Sequence, residues 1–231
     1  MAPSGQADTQ AVLRDAGLDP AALQDVTLFE RLHPAIQNWW VRQFGEAAQR
    51  SGGLFTAPQR SAIPAVADGA NVLVCAPTGA GKTLAAFTSI LDELTRSAAA
   101  GALEPGVACV YISPLRSLAN DIDRNLQRPL DAIGAWADAE GVDISIRQAI
   151  RHGDTGTAER RAMVETPPHI LNTTPESLAI LLNAPRFREH LRTVRYVIVD
   201  EIHAVADNKR GTHLSVSLER LSALADGDPL R

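Results

Sequence analysis

The sequence predicts an α/β fold in which a parallel sheet is covered by helices on both faces. Three observations carry that prediction. Short apolar runs of five to seven residues recur between helical stretches, and such alternation builds parallel sheets with helical crossovers. One run leads into a glycine-rich turn that opens a helix, at residues 76–83 (APTGAGKT). Another ends on the acidic pair Asp200–Glu201, at the end of a strand where open α/β sheets bind their ligands.

Taken in order, residues 1–28 are rich in Ala, Asp and Gln and break at Asp19–Pro20. They read as a loosely ordered arm, with the folded domain over 29–231. Pro34 suits the first turn of a helix, and Ile36, Trp39, Trp40 and Phe44 recur at helical spacing. That spacing makes at least one tryptophan a core residue rather than a platform for a base. Ser51-Gly52-Gly53 ends the helix. Strands are then expected at 71–76 (NVLVCA), 107–113 (VACVYIS), 144–150, 169–173 (HILNT) and 194–199 (VRYVIV). Helices are expected at 81–97, after Pro114, near 158–165, from Pro175, and at 213–225.

Composition narrows the function. The net charge of −5 argues against a basic coat over the whole surface, while a local basic groove is compatible with it. No apolar run reaches the roughly 18 residues that span a bilayer, and the polar N-terminus lacks a signal-peptide pattern. A cytoplasmic protein without membrane contact is expected. Cys75 and Cys109 sit singly in apolar segments and are expected to be buried free thiols. Arginines 186, 188, 192 and 195 read as a solvated face. Lysine occurs only at 82 and 209, against twenty arginines, so Lys82 stands where the chain otherwise uses arginine.

The chemistry sits in two segments. In APTGAGKT, Gly79 and Gly81 allow the backbone of Thr78, Gly79, Ala80 and Gly81 to curl. Successive N–H groups then form an anion nest at a helix N-terminus. Lys82 reaches β- and γ-phosphates, and the Thr83 hydroxyl ligates Mg²⁺. Asp200 then holds Mg²⁺ through water, and Glu201 orients and deprotonates the attacking water. Taken singly, the first segment could be an incidental glycine turn and the second a solvated acidic one. A phosphate loop 118 residues upstream of an acidic pair makes ATP with Mg²⁺ the expected ligand.

The order FERLHPAI, FTAPQ, APTGAGKT, PLRSL, RHGDT, TTPESL and DEIHAV, between Phe29 and Val205, resembles superfamily 2 helicases of the DEAD/DEAH-box type. It is similar in particular to the large helicase-related (Lhr) family. The resemblance implies the first RecA-like lobe of a P-loop NTPase, stopping before the strand that enters the family's Ser-Ala-Thr motif. That strand lies between those expected at 71–76 and 194–199, so both are expected to lack a partner. The resemblance also implies that Gln59 reads the adenine edge and that His203 couples nucleotide state to movement. Arg116 and Ser117, Gly153 and Asp154, and Thr174, Pro175 and Glu176 are the implied nucleic-acid contacts. Without the resemblance, Pro114 and Pro175 open helices after strands, and Thr174 is equally an ordinary helix cap.

The family resemblance further implies a monomeric motor that moves 3′ to 5′ on single-stranded DNA and unwinds duplex DNA or DNA–RNA hybrids, in DNA repair. A second RecA-like lobe supplies arginines to the ATP site, so this lobe alone is expected to turn over little ATP. Two other readings stand beside it. One is a nucleotide kinase, which would not need DEIH; the other is a nucleic-acid-binding module that holds ATP without hydrolysing it.

Overall fold

The computed structural model describes residues 9–114 and 116–231, save the side chains of residues 116–121, 123 and 124. The chain packs as two units. One is drawn from residues up to Ala102 together with Pro129–Ser145, the other from Leu103–Arg128 with Ile146–Arg231.

The first unit is helical: α1 (Thr9–Asp15), α2 (Val26–Glu30), α3 (Pro34–Ser51), α4 (Ala57–Ala67), α5 (Lys82–Ala99), and the C-terminal part of α6 (Arg116–Glu140). Pro34 takes the first helical position of α3, and His33 caps it, Nδ1 accepting from the Ala35 amide at 3.2 Å. Gly52, at φ +69°, ends the helix and donates to the Ala48 carbonyl at 2.9 Å; glycine takes that conformation without a Cβ clash. Both tryptophans are core. The Trp40 ring lies 4.7 Å from Phe55, and its Nε1 donates to the Leu54 carbonyl at 2.9 Å.

The arm differs from the sequence expectation. From Thr9 it is helical, α1 packs on α3, and Leu13 and Leu18 are buried. Their spacing fits no single helix because a turn between them brings each one separately to the core. Helix α4 was also not legible as a helix: Pro58 and Pro64 lie within it. Residues 71–76 form no strand. The segment joins no sheet among the described residues, and Leu73 is 79% exposed. Apolar content predicts what a strand would bury, but only a neighbouring strand supplies its backbone bonds.

The second unit holds the sheet: β1 (Cys109–Ile112), β2 (Gln148–Arg151), β3 (Ile170–Thr173) and β4 (Tyr196–Val199), in the order β2-β3-β1-β4 and parallel throughout. Helices α7 (Thr157–Glu165), α8 (Pro175–Leu181), α9 (Pro185–Arg188) and α10 (Lys209–Leu224) belong to it. Val110, Ile112, Leu171 and Val197 share one core with Leu178, Leu181, Leu214 and Leu221. The expected partnerless edge of β4 is met in part by Leu230, which accepts from the Val197 amide at 2.8 Å and donates to the Arg195 carbonyl at 2.9 Å.

The starts of β2 and β3 are clipped together by His169. Its Nδ1 accepts from the Arg147 amide at 3.1 Å, and its own amide donates to the Arg147 carbonyl at 2.9 Å. Burial, and then the charge of Arg147, push the imidazole down to about 4. The folded chain therefore refuses a proton that the unfolded chain accepts near pH 6.5. Stability is full above about pH 6.5 and is lost as pH falls toward 4. Thermal melts at about pH 7.5 and pH 5 should show the wild type losing about 2–4 °C more than His169→Gln. Parallel pH curves for the two proteins would remove this account of the clip.

Candidate functional site

The phosphate-loop sequence belongs to the first unit. Gly79 and Gly81 have φ of +79° and +81°, values that carry a strain penalty for any residue with a Cβ. The loop delivers the chain into α5, whose first residue is Lys82. The Lys82 ammonium donates to the carbonyls of Ala76 (2.7 Å) and Pro77 (3.1 Å) and pairs with no carboxylate among the described residues. Thr83 is the second residue of α5 and is partly exposed, while Thr78 at the turn is exposed. A cation balanced only by carbonyl dipoles, beside the open N–H groups of an 18-residue helix, is a setting for phosphate.

The loop is held from α4. The Thr56 hydroxyl donates to the Ala80 carbonyl at 2.9 Å, and Gln59 Nε2 donates to the Gly81 carbonyl at 3.3 Å. Gln59 Oε1 accepts from the Thr56 amide at 2.8 Å, completing a capping box. Gln59 is only 4% exposed, and a Cβ on residue 81 would collide with its amide. Behind α4 stands buried Asp25, which accepts from the amides of Leu54 (2.8 Å) and Phe55 (2.9 Å) and lies 3.8 Å from Arg60. Cys75, expected to be buried, is exposed, because the segment carrying it is not covered by a sheet; Cys109 is buried, and burial pushes its thiol well above the usual range.

The other candidates belong to the second unit. Parallel pairing sends the carboxyl ends of all four strands to one edge of the sheet. At the end of β4, the Asp200 amide donates to the Ile112 carbonyl at 2.9 Å. The Asp200 carboxylate takes the Tyr111 hydroxyl on Oδ2 and the Glu201 amide on Oδ1 at 2.9 Å. Glu201 has φ +49°, the only positive φ outside glycine among the described residues, a conformation that costs about 1–2 kcal/mol. Its Oε2 lies 3.3 Å from Nδ1 of His203, which is 79% exposed. No cluster of three or more His, Cys, Asp or Glu among the described residues could hold a metal by itself. Two partly exposed carboxylates instead suit Mg²⁺ that arrives with phosphate and keeps its waters.

At the end of β3, Thr174 is buried, accepts from the Ser177 amide at 3.4 Å and donates to Ser177 Oγ at 3.2 Å, so it caps α8; Pro175 is the first residue of that helix. Glu176 pairs with Arg210 at 2.7 Å, and Arg210 also donates to the Pro114 carbonyl at 2.8 Å. Burial opposes ionisation of Glu176, but the bond and charge of Arg210, with the local backbone and Thr174, outweigh it and lower its pKa. At the end of β2, the Thr155 hydroxyl accepts from the His152 amide at 2.9 Å, the Asp154 amide donates to His152 Nδ1 at 3.2 Å, and the Gly153 carbonyl accepts from Arg160 at 2.8 Å. Burial, and then the charge of Arg160, lower the pKa of Arg151. The side chains of Arg116 and Ser117 lie outside the described residues.

Sequence reasoning missed Tyr111, Arg210, Arg160 and Asp25. The first reads as core and the last as part of a polar arm. The arginines carry no motif: Arg160 grips a backbone carbonyl, and Arg210 grips a carbonyl and a carboxylate distant in sequence.

A phosphate loop before a helix, an acidic pair closing a parallel strand, and a TPE turn at a neighbouring strand end define a nucleotide-dependent motor lobe. Residues 56–228 match the DEAD/DEAH box helicase family, and the chain belongs to that family. The lobe is of the Lhr type. It is 58% identical over 193 residues to the ATP-dependent helicase Lhr-Core of Methanothermobacter thermautotrophicus, covering 84% of this chain and 22% of that protein. The structure of Mycobacterium smegmatis helicase Lhr bound to ssDNA and AMP-PNP is similar with a TM-score of 0.76 and 43% identity, over 87% of this chain and 24% of that one. DEAD-box helicase Mss116 bound to ssRNA and UDP-BeF shares the fold, at a TM-score of 0.71 and 20% identity, over 86% of this chain and 37% of that one. The chain thus spans about a fifth to a quarter of the length of these Lhr relatives. No helix among the described residues is long and apolar enough to cross a membrane.

Asp25→Ala strands two backbone donors at the entry to the Thr56–Gln59 turn. The expected loss is about 2–4 kcal/mol, since each unmade buried bond costs about 1–3 kcal/mol. Urea unfolding measures it, and a loss below about 0.5 kcal/mol would show that Asp25 does not hold the turn.

Proposed function

We propose that this chain is the ATP-binding lobe of a longer motor that moves 3′ to 5′ on single-stranded DNA and opens duplex DNA or DNA–RNA hybrids. The observation that carries the reading is the loop of Ala76–Thr83. Its cation is satisfied only by carbonyls, and its backbone is held from outside by Thr56 and Gln59. Lys82 and the amides of Thr78, Gly79, Ala80 and Gly81 would take the phosphates, Thr83 and Asp200 the Mg²⁺, and Glu201 the attacking water. Gln59 keeps one amide hydrogen and one acceptor lone pair beyond its bonds to the chain, enough for an adenine edge. His203, exposed beside Glu201, is positioned to pass the state of the acid outward.

Arg116, Ser117, Gly153, Asp154, Thr174, Pro175 and Glu176 are assigned to the nucleic-acid backbone. Arg151 and Arg160 support that reading: they stand together with no carboxylate partner among the described residues, as an anion site requires. Single-stranded DNA is preferred because an Lhr relative is solved with it. Polarity, a role in repair, a monomeric state and a second lobe that completes catalysis rest on the Lhr resemblance, and a cytoplasmic location rests on the composition. This lobe alone is therefore expected to turn over little ATP, with or without single-stranded DNA. Turnover of several per second by the isolated chain would overturn the need for a second lobe, and no turnover in a chain extended to that lobe would favour an ATP-holding binding module.

Two measurements test the sites. Lys82→Ala should lower Mg-ATP affinity at least about tenfold, or about 1.4 kcal/mol; equal affinity by calorimetry would remove the phosphate assignment. Binding to single strands should weaken steeply with salt through counterion release. Arg116→Ala should reduce the salt slope by about one, and an unchanged slope would take Arg116 off the binding surface.

A further inference from the structure

Tyr111 is the third residue of β1 and pairs in register with Ile198 of β4 and Asn172 of β3. Its side chain is almost completely buried. In such a place phenylalanine would fill the same volume without a hydroxyl to satisfy, and a buried hydroxyl is costly unless bonded. Here the hydroxyl has a specific acceptor, Oδ2 of Asp200. The other oxygen, Oδ1, takes the Glu201 amide, and the Asp200 amide is fixed on Ile112. Two bonds on the carboxylate therefore fix its plane, and a third, from the Asp200 amide, fixes the backbone that carries it. Each oxygen keeps a lone pair beyond the donor it has accepted.

We propose that Tyr111 is a positioning residue for Asp200: its hydroxyl fixes the orientation in which the carboxylate would hold Mg²⁺. This rests on the assignment of Asp200 to Mg²⁺ under the proposed function. Tyr111 touches neither metal nor nucleotide; it acts through the aspartate. The hydroxyl is suited to that work because it remains a donor. A phenol is protonated at neutral pH and carries no charge, so the hydroxyl donates. A neutral donor orients the carboxylate without discharging it.

The test uses Tyr111→Phe, which preserves the ring, and a fluorescent ADP analogue titrated at a series of Mg²⁺ concentrations. The Mg²⁺ needed for half of the affinity gain should rise about three- to tenfold, while affinity in EDTA stays within about twofold. A parallel fall with and without Mg²⁺ would mean that Tyr111 only supports the fold, and would overturn the proposal; so would an unchanged Mg²⁺ requirement. If the wild type shows no Mg²⁺-dependent nucleotide binding at all, the ATP reading itself has failed and the proposal falls with it. A second measurement needs neither ligand nor a folded Phe variant. The chain has only two tyrosines, 111 and 196, so 3-fluorotyrosine labelling gives two ¹⁹F resonances. Asp200→Asn should shift the Tyr111 signal and leave the Tyr196 signal in place, and an unmoved Tyr111 signal would show that the two side chains are not joined in solution.

Discussion

Parallel strands all point the same way, and the second unit depends on that constraint. Four strands in the order β2-β3-β1-β4 bring four carboxyl ends to one edge, and the residues of interest there come directly after those ends. Asp200 and Glu201 succeed β4, Pro114 and Arg116 succeed β1, His152–Thr155 succeed β2, and Thr174–Glu176 succeed β3. An antiparallel sheet of the same sequences would send half of them to the opposite edge. Parallel pairing also needs a crossover between strands, and the helix that returns the chain starts at the same edge. Helix N-termini and strand ends are therefore collected together, which is why phosphate-binding chemistry can concentrate there.

Such an edge consists of turns, and turns have backbone groups to satisfy. The bonds found there are mostly of one kind, side chain to backbone. Thr155 holds the His152 amide, Arg160 the Gly153 carbonyl, Thr174 the Ser177 amide, and Arg210 the Pro114 carbonyl. Each contributes on the order of 1 kcal/mol, little against the apolar core of Val110, Leu171, Val197 and Leu178. Their effect is geometric rather than energetic. They give three turns a fixed shape.

The same division decides how much was legible in the sequence. Residues whose chemistry is exposed in a motif could be read: Lys82 beside Gly79 and Gly81, the Asp200–Glu201 pair, Pro175 after a strand. The apolar runs that became β1, β3 and β4 could be read as well, each longer by one to three residues than its paired core, because hydrophobicity extends past the last ladder bond. Residues 71–76 misled for the converse reason, since their apolar character is real but no ladder forms. Asp25 was hidden because its role depends on the chain returning through α3, which brings backbone 29 and 30 residues away to it. Arg210 was hidden because its partners, Glu176 and Pro114, lie 34 and 96 residues away. Local pattern carries local information, and the supporting contacts of both units are long-range.

The supporting contacts also have a sign. The groups that hold the phosphate loop, Thr56 and Gln59, are neutral, and so is the group that holds Asp200. An arginine in place of Tyr111 would satisfy the carboxylate with two bonds instead of one. It would also set a positive charge beside the carboxylate proposed to hold a divalent cation. At about 4 Å and an effective dielectric constant of about 20, each unit-charge pair amounts to about 4 kcal/mol, more than one hydrogen bond returns. A buried phenol avoids that repulsion. The same logic separates Glu176 from the acidic pair: Glu176 is bound to Arg210, whereas Asp200 and Glu201 are positioned by neutral donors and by exposed His203.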